Sequence, residues 1–471
     1  MEKTQVAVIG GGPGGYAAAF RAADLGLSVT LIDSEINPGG VCLYRGCIPS
    51  KALLHAAKLI NETKEAANWG LHFGEPRIKI AELRDWKNKV VKQLTGGLGT
   101  LVKQRKITYV QGFATFKDAN TLTVKTVDND EQEIAFEHAI LATGSSPTKV
   151  PSLWIDSARL MDSTAALELR DIPKSLLVIG GGYIGLEMGS VYAALGTRVT
   201  VVEMTDTLLP GADRDLVAVL QKRIEKQFES VLLKTKVLSL TEQRDSVKVL
   251  LEDEKGEKRE EPFARVLMAV GRKPNSANLE LENTGVQING KGFVEVDIQR
   301  RTAEPTIFAI GDVAGEPMLA HKANHEAMVA AEVIAGHKAA YEPACIPAVV
   351  FTDPEIAWAG ITETQAKAQN LDVQIAKFPW AASGRAVTLD RTDGLTKLIV
   401  DKSTERILGV GIVGAGAGEM IAEGALAIEM AALASDMQLT IHPHPTLSET
   451  LMETAEQIYG SSTHLYRPKR K

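Results

Sequence analysis

The sequence predicts an α/β fold: two Rossmann-like dinucleotide-binding units, one inserted within the other, then an α+β C-terminal unit. Three observations carry this. The motif G-x-G-x-x-G occurs twice, at 10–15 and 180–185, each time between an apolar strand pattern and a helix pattern. Each copy is followed by a second short strand that ends on a carboxylate 23 positions after the first glycine, at Asp33 and at Glu203. From about residue 341 the pattern changes to alternating apolar strands accompanied by helices.

Composition sets the outer limits. A length of 471 residues suggests about three domains. The net charge of −7 argues against non-specific binding of nucleic acid. No apolar run approaches the roughly 18 residues of a membrane span. Met1-Glu2-Lys3-Thr4 runs straight into a strand, so no signal peptide is expected. Three cysteines in so long a chain do not make an extracellular disulfide framework, and a cytoplasmic protein is expected. The basic stretch 467–471 reads as a solvated tail.

The first unit opens with a strand at 5–10. The turn Gly10-Gly11-Gly12-Pro13-Gly14-Gly15 follows, then a helix to about 25 and a strand at 28–32. The glycines let the backbone approach a pyrophosphate at the helix N-terminus, and Asp33 is placed to hydrogen-bond a ribose. Next comes Gly39-Gly40-Val41-Cys42-Leu43-Tyr44-Arg45-Gly46-Cys47-Ile48-Pro49-Ser50-Lys51. On a regular helix, five residues rise about 7.5 Å and turn about 500°, which keeps two thiols apart. Either the thiols are unrelated, or Cys42 lies on a distorted lead-in that folds back toward Cys47. The glycines permit the second arrangement. Pro49 suits a first helical turn, so Cys47 is expected near a helix N-terminus, where a thiolate is favoured. Lys51 lies one turn further on the same face. Cys345 stands alone and reads as a small core residue.

Strands at 107–116 and 122–127 read as an antiparallel pair, and an apolar strand over 140–145 ends in Thr143-Gly144-Ser145. The second unit repeats the first. A strand at 174–179 leads into Gly180-Gly181-Gly182-Tyr183-Ile184-Gly185, a helix to about 195 and a strand at 198–202. Glu203 ends that strand, and no basic cluster follows to accept a 2′-phosphate, which favours NAD over NADP. Val266–Arg272 ends this unit and Pro274 marks a boundary, so the expected divisions are 1–146, 147–274, 275–342 and 343–471. The strand 306–312 ends in Gly311-Asp312, and Met318-Leu319-Ala320-His321 opens a helix to about 335. Beyond lie strands at 349–351, 397–400 and 407–413, and helices at 418–434 and 447–459. The glycines of 414–418 lack phosphate spacing and read as structural.

Ile441-His442-Pro443-His444-Pro445-Thr446-Leu447-Ser448-Glu449 is the last informative stretch. Histidine can generate a thiolate near neutral pH, which thiol–disulfide exchange requires. Glu449 is spaced to fix its tautomer. No third ligand lies near the two histidines, so no metal is expected.

These segments resemble the flavin disulfide reductases. The cysteine stretch is similar to that family's G-G-x-C-x4-C-x-P-S-K, and the histidine stretch to its H-x-H-P-T-x-x-E. The resemblance runs from about residue 5 to 460. It implies a redox-active Cys42–Cys47 disulfide, with Cys42 exchanging with substrate and Cys47 facing FAD. It implies a Lys51–Glu187 pair beside the flavin and FAD contacts from Gly10, Gly12, Gly14, Gly15 and Asp33. It extends the FAD set to Gly40, Lys51, Ala114, Thr143, Gly144 and Ser145, and to Asp312, Met318, Leu319, Ala320 and His321. For NAD it implies Gly180, Gly182, Tyr183, Ile184, Gly185 and Glu203, with Val237 and Gly271. His444 would be the acid/base, held by Glu449 and joined to Pro445 by a cis bond. That pair would reach the cysteines of the other subunit of a homodimer. His442 and the His321 side chain read as structural.

Within the family, Glu203 and the absence of any cysteine after Cys345 favour the members that oxidise dihydrolipoamide with NAD⁺. Lipoyl domains of an acyltransferase (E2) or of the glycine cleavage H protein would be the partners, with neither nucleic acid nor membrane. Two other readings are an assembly subunit whose turnover is dispensable and an NAD(P)H-dependent reductase of another disulfide. Tyr44 and Arg45 stand where the family more often has a small polar and an apolar residue, and Arg45 is expected to lower a thiolate pKa or shift the redox potential of the pair. Pro443 replaces a small residue and is expected to stiffen the approach to His444.

Overall fold

The computed structural model describes residues 2–460 and 462–466; the tail reading at 467–471 lies outside them. Strand β1 (Glu2–Ile9), helix α1 (Pro13–Asp24) and strand β2 (Val29–Asp33) form the first β-α-β. Then come α2 (Gly40–Arg45), α3 (Cys47–Glu65) and α4 (Ile80–Gln104), followed by β3 (Thr108–Asp118), β4 (Thr121–Thr126) and β5 (Glu131–Leu141). β1 lies between β2 and β5, all parallel, with Val6 opposite Val29 and His138. β3 pairs parallel to β2 through Thr108–Gln111 and antiparallel to β4 beyond it, as the sequence leads one to expect of 107–127.

The second unit contains β6 (Ser175–Ile179), α5 (Tyr183–Ala194), β7 (Arg198–Val202) and β8 (Arg265–Met268) in a parallel five-stranded sheet. An antiparallel meander (Lys236–Glu242, Val247–Glu252, Lys258–Phe263) lies within it. Thereafter β9 (Ile307–Ala309) returns to the first sheet, parallel to β5, and α6 (Ala320–Ile334) packs on α1. One sheet is thus built from segments on both sides of the second unit. The small residues of α1 allow its close seat: Ala18, Ala19 and Ala22 are fully buried.

The C-terminal sheet is antiparallel, with β10 (Ala348–Val350), β11 (Glu355–Gly360), β12 (Val373–Pro379), β13 (Leu395–Asp401) and β14 (Ile407–Gly414) in the order β10-β11-β14-β13-β12. The single helix expected over 418–434 is two: Ala417–Glu429 and Ala434–Leu439. Ala431 adopts φ +52, a left-handed conformation that ends the first helix. The helix expected over 447–459 is Glu449–Glu456 with a 3₁₀ turn, Gln457–Tyr459. Leu53 of α3 joins one buried cluster with Leu186, Met188 and Val201 of the second unit and with Val350, Ile356 and Val413 of the C-terminal sheet. The helix that begins at Cys47 is therefore wedged between the other two parts of the chain.

Candidate active site

The two glycine turns are built alike. Gly10 has φ +103, and a Cβ there would meet the Ala142 carbonyl oxygen at 2.4 Å; Gly180 has φ +108, with the Ala269 carbonyl at the same 2.4 Å. A Cβ on Gly15 would meet the Gly10 oxygen at 1.7 Å, and one on Gly185 the Gly180 oxygen at 2.4 Å. The middle glycine differs. At Gly12 the nearest atom to a Cβ would be the Gly40 Cα at 4.0 Å, and at Gly182 nothing lies within 4 Å. The first and last glycines serve close packing, while the middle ones leave space for a ligand's approach.

The strand-end carboxylates also match. Asp33 accepts the Gly11 amide on one oxygen and the Glu35 amide, at 2.8 Å, on the other. Glu203 accepts the Gly181 amide at 2.7 Å and the Thr205 amide at 2.8 Å. Each carboxylate is thus fixed beside its turn, with lone pairs left for ribose hydroxyls. Burial pushes the Asp33 carboxyl up from its ordinary range, against the opposing pull of the Gly11 amide and the Arg45 guanidinium.

α2 ends at Arg45, Gly46 follows as the break, and α3 begins at Cys47. A Cβ on Gly46 would meet the Val41 oxygen at 2.8 Å, so this break requires glycine. The fold-back brings the Cys42 and Cys47 thiols, both free in this structure, close enough to act on each other's ionisation, which favours the folded-back arrangement over unrelated thiols. Cys47 is the first residue of a 19-residue helix, as the position of Pro49 implies. The Cys42 hydrogen bond, assisted by Lys51 and opposed by burial and Glu187, lowers the Cys47 thiol to about 7. The same hydrogen bond, with burial, pushes the Cys42 thiol up. Cys47 is therefore the thiolate of the pair.

Lys51 Nζ lies 2.8 Å from the Glu187 carboxylate and 4.5 Å from the centre of the Phe351 ring. Glu187 is buried in α5 and also accepts the Phe351 amide at 3.0 Å.

A cleft of about 540 Å³ joins these parts. Gly10, Gly12, Gly14 and Asp33 line one end, and Gly40, Cys42, Cys47 and Lys51 one side. Ala114 of β3 and Thr143, Gly144 and Ser145 after β5 line it too, as do Asp312, Met318 and Ala320. Tyr183, Ile184 and Glu187 of α5 close it from the second unit. Three expected FAD residues do not line it. Gly15 packs behind Gly10, Leu319 caps α6, and His321 bonds the Pro347 oxygen at 2.7 Å. Gly180, Gly182, Gly185, Glu203, Val237 and Gly271 lie outside the cleft, in the second unit. Among them Val237 sits at a bulge in the meander, and Gly271 has φ +110 with open space around it.

Arg272 carries weight that the sequence did not reveal. Its Nε donates to Ser145 Oγ at 2.7 Å, and Ser145 Oγ donates to the Asp312 carboxylate at 2.5 Å. It follows Gly271 directly, so its place after the second unit's last strand was the only available signal. Burial, then the charges of Cys42 and Cys47, push the Tyr16 phenol up. Arg45 is not among the main influences on either thiol. It ion-pairs with Glu35, while the charges acting on Cys47 are those of Lys51 and Glu187.

His444 Nδ1 lies 2.9 Å from Glu449, whose other oxygen accepts the Thr446 amide at 2.7 Å. Burial raises the Glu449 carboxyl, but that amide and His444 outweigh it and hold the group below its ordinary range. The His444–Pro445 bond is cis. His444 is exposed on the C-terminal unit, and neither it nor Glu449 lines this chain's own cleft. His442 is instead tied down, to Glu423 at 2.7 Å and to the Thr440 oxygen at 2.8 Å.

The residues fit the dinucleotides that the chemistry requires. One end of the cleft offers an open glycine turn with a ribose-facing carboxylate, and the other offers a thiolate, which suits FAD. The second turn offers the same turn and carboxylate to NAD.

Comparison with known proteins agrees. A pyridine nucleotide-disulphide oxidoreductase description matches residues 4–327, and that family's dimerisation domain matches residues 346–455. A dihydrolipoyl dehydrogenase of Haemophilus influenzae is 49% identical over 100% of this chain and 98% of its own length. One of Geobacillus stearothermophilus is 47% identical over 98% of each. Among solved structures, LpdA from Mycobacterium tuberculosis superposes with a TM-score of 0.90 at 26% identity, covering 97% of this chain and 99% of that one. The HOCl-induced flavoprotein disulfide reductase RclA from Escherichia coli gives 0.86 at 28% identity, covering 96% and 100%. With its paired glycine turns, its adjoining thiols and these full-length likenesses, the chain belongs to the pyridine nucleotide-disulphide oxidoreductase family.

Proposed function

We propose that the protein oxidises dihydrolipoyl groups to lipoyl groups and reduces NAD⁺ to NADH, with FAD as its resident cofactor. The observation that carries this is the single cleft in which the Cys42–Cys47 pair, the first glycine turn and the start of α5 meet. Identity near one half to curated dihydrolipoyl dehydrogenases, over the whole chain, supports the substrate.

His444, oriented by Glu449, takes the proton of one substrate thiol. The resulting thiolate attacks Cys42 Sγ of the disulfide, and the S–S bond breaks with its electron pair leaving on Cys47. The second substrate thiol, deprotonated in turn, attacks the mixed disulfide, closes the lipoyl ring and releases Cys42. Cys47 is the better leaving group because its thiol is the more acidic. Lys51 stabilises the negative charge left there. FAD, when bound in the cleft, would supply the two-electron relay by which the Cys42 and Cys47 dithiol returns to the disulfide while NAD⁺ is reduced to NADH. Thr143, Ser145 and Asp312 would hold it, through the network that Arg272 anchors.

His444 stands outside its own cleft, and the C-terminal part matches a dimerisation domain. These points support a homodimer in which each His444 serves the cysteine pair of the other subunit. We take the divisions to be 1–146 with 275–342 for FAD, 147–274 for NAD and 343–471 for the interface. No helix among the described residues is long and apolar enough to cross a membrane. A cytoplasmic enzyme serving lipoyl domains of an acyltransferase (E2) or of the glycine cleavage H protein is the finer reading.

Anaerobic mixing tests the proposal. Dihydrolipoamide with NAD⁺ should give rapid NADH absorbance, and NADPH with glutathione disulfide should give no turnover. The reverse pattern would reassign the substrate.

A further inference from the structure

Arg45 is the last residue of α2, three positions after Cys42, yet its charge is directed away from the sulfurs. Its guanidinium ion-pairs with Glu35, two residues beyond Asp33. Glu35 is itself held, since its amide donates to Asp33 and its carbonyl accepts the Tyr109 hydroxyl at 2.8 Å. Tyr44, under the guanidinium at 5.9 Å, donates to the Asn37 oxygen at 3.0 Å. The loop after β2 therefore fixes Arg45 by a carboxylate and an aromatic ring. Arg45, Asp33, Ser34 and Glu35 all line the cleft at the ribose end of the first glycine turn.

Arginine has five N–H donors, and a carboxylate satisfies two at most. Here Nε is buried without a hydrogen-bond partner. Nε is closed off, but the side chain is 38% exposed, so the terminal N–H groups that Glu35 leaves free face a cleft beside a ribose-binding carboxylate and suit the oxygens of a diphosphate or a ribose. The effect of Arg45 on Asp33 points to the same end of the cleft.

We propose that Arg45 is a cofactor-binding residue: anchored by Glu35, it closes the adenosine end of the cleft and holds the ribose–diphosphate part of FAD. This rests on the reading of that cleft as an FAD site. It assigns Arg45 to cofactor retention rather than to the redox chemistry of the neighbouring cysteines.

The test compares holoenzymes of the wild type, Arg45→Val, Arg45→Lys and Glu35→Gln. FAD release on dilution is followed by flavin fluorescence, and the potential of the cysteine pair by equilibration with dithiothreitol buffers. Arg45→Val should release FAD about tenfold faster or more, the loss of one charge-assisted contact. Arg45→Lys and Glu35→Gln should fall between it and the wild type, and the potential should stay at the wild-type value. Wild-type release from Arg45→Val overturns the inference, as does a shifted potential with unchanged release. Should Arg45→Val fail to fold, wild-type release from both Arg45→Lys and Glu35→Gln overturns it equally. A wild-type protein that binds no flavin would instead remove the FAD reading itself.

Discussion

Lys51 Nζ and the Glu187 carboxylate meet at 2.8 Å, joining the helix that starts at Cys47 to the helix that starts at the second glycine turn. Glu187 is only 3% exposed, so the pair is a fixed charge arrangement rather than a surface contact. Lys51 helps lower the Cys47 thiol while Glu187 raises it. Lys51→Met should therefore move Cys47 ionisation upward from about 7, toward the ordinary thiol value near 8.5. The pH profile of iodoacetamide labelling of the dithiol-reduced enzyme checks this. Thiolate is present above the pKa and lost below it, so the variant should label more slowly at pH 7 and alike at pH 10.

The first glycine turn separates ligand space from packing space. Gly12→Ala places a methyl group where the nearest chain atom is 4.0 Å away, whereas Gly15→Ala drives one into the Gly10 oxygen. Gly12→Ala should keep the wild-type apparent Tm of the apoprotein and bind FAD at least tenfold more weakly. Gly15→Ala should lose stability as well, by about 2 kcal/mol or more. Thermal melts of the flavin-free proteins and FAD titrations distinguish the two.

His444 is tied to Glu449 at 2.9 Å and is exposed in the single chain. His444→Gln should lower dihydrolipoamide oxidation by about 10²- to 10⁴-fold, the usual range for a general acid–base group. It should leave the flavin spectrum unchanged. Mixing His444→Gln with Cys47→Ser subunits gives a sharper result. Two inactive homodimers should yield a hybrid with one intact site, and activity should reappear after subunit exchange. Continued inactivity of verified hybrids would place His444 on its own subunit's site.

Lys397 is 1% exposed and lies 2.6 Å from Asp213, 2.8 Å from Asp215 and 3.0 Å from Glu363. Burial raises Asp215 and Glu363, but Lys377 and Lys397 outweigh it, and both carboxyls are held below their ordinary range. A depressed folded value stabilises the protein above the unfolded carboxylate value near pH 4 and ceases to do so as pH falls through the folded value. Lys397→Met leaves Asp213 buried without this cation. It should cost about 3 kcal/mol at pH 7 and lower the apparent Tm by several degrees. The difference from the wild type should shrink as pH falls below about 4. Differential scanning calorimetry across pH measures this.

Much of this was legible in the sequence because the chemistry is local. The glycine turns, their carboxylates and the cysteine segment are each short windows whose geometry neighbouring residues impose, such as Gly46 breaking the helix between Cys42 and Cys47. The 25-residue helix α4 escaped notice. Gly96, Gly97 and Gly99 weaken its helical propensity, and its buried stripe of Lys87, Val91, Thr95, Gly99 and Val102 contains little apolar surface. Packing against α2 and α3 overrides that propensity, and Gly99 makes room for the Asn37 side chain, whose Oδ1 would lie 2.0 Å from a Cβ there.

The sequence by itself determined which dinucleotide turns exist, which two cysteines lie five residues apart between glycines and which histidine has a carboxylate five residues away. Only the tertiary structure decided where the charges point. Arg45 neighbours the thiols along the chain yet faces Asp33 and Glu35, and the Lys51–Glu187 pair that the family resemblance implied gets its contact only because packing brings together residues 136 apart in sequence. The reason is physical: turn geometry depends on a few adjacent residues, whereas the field at a thiol depends on which distant helices packing brings beside it.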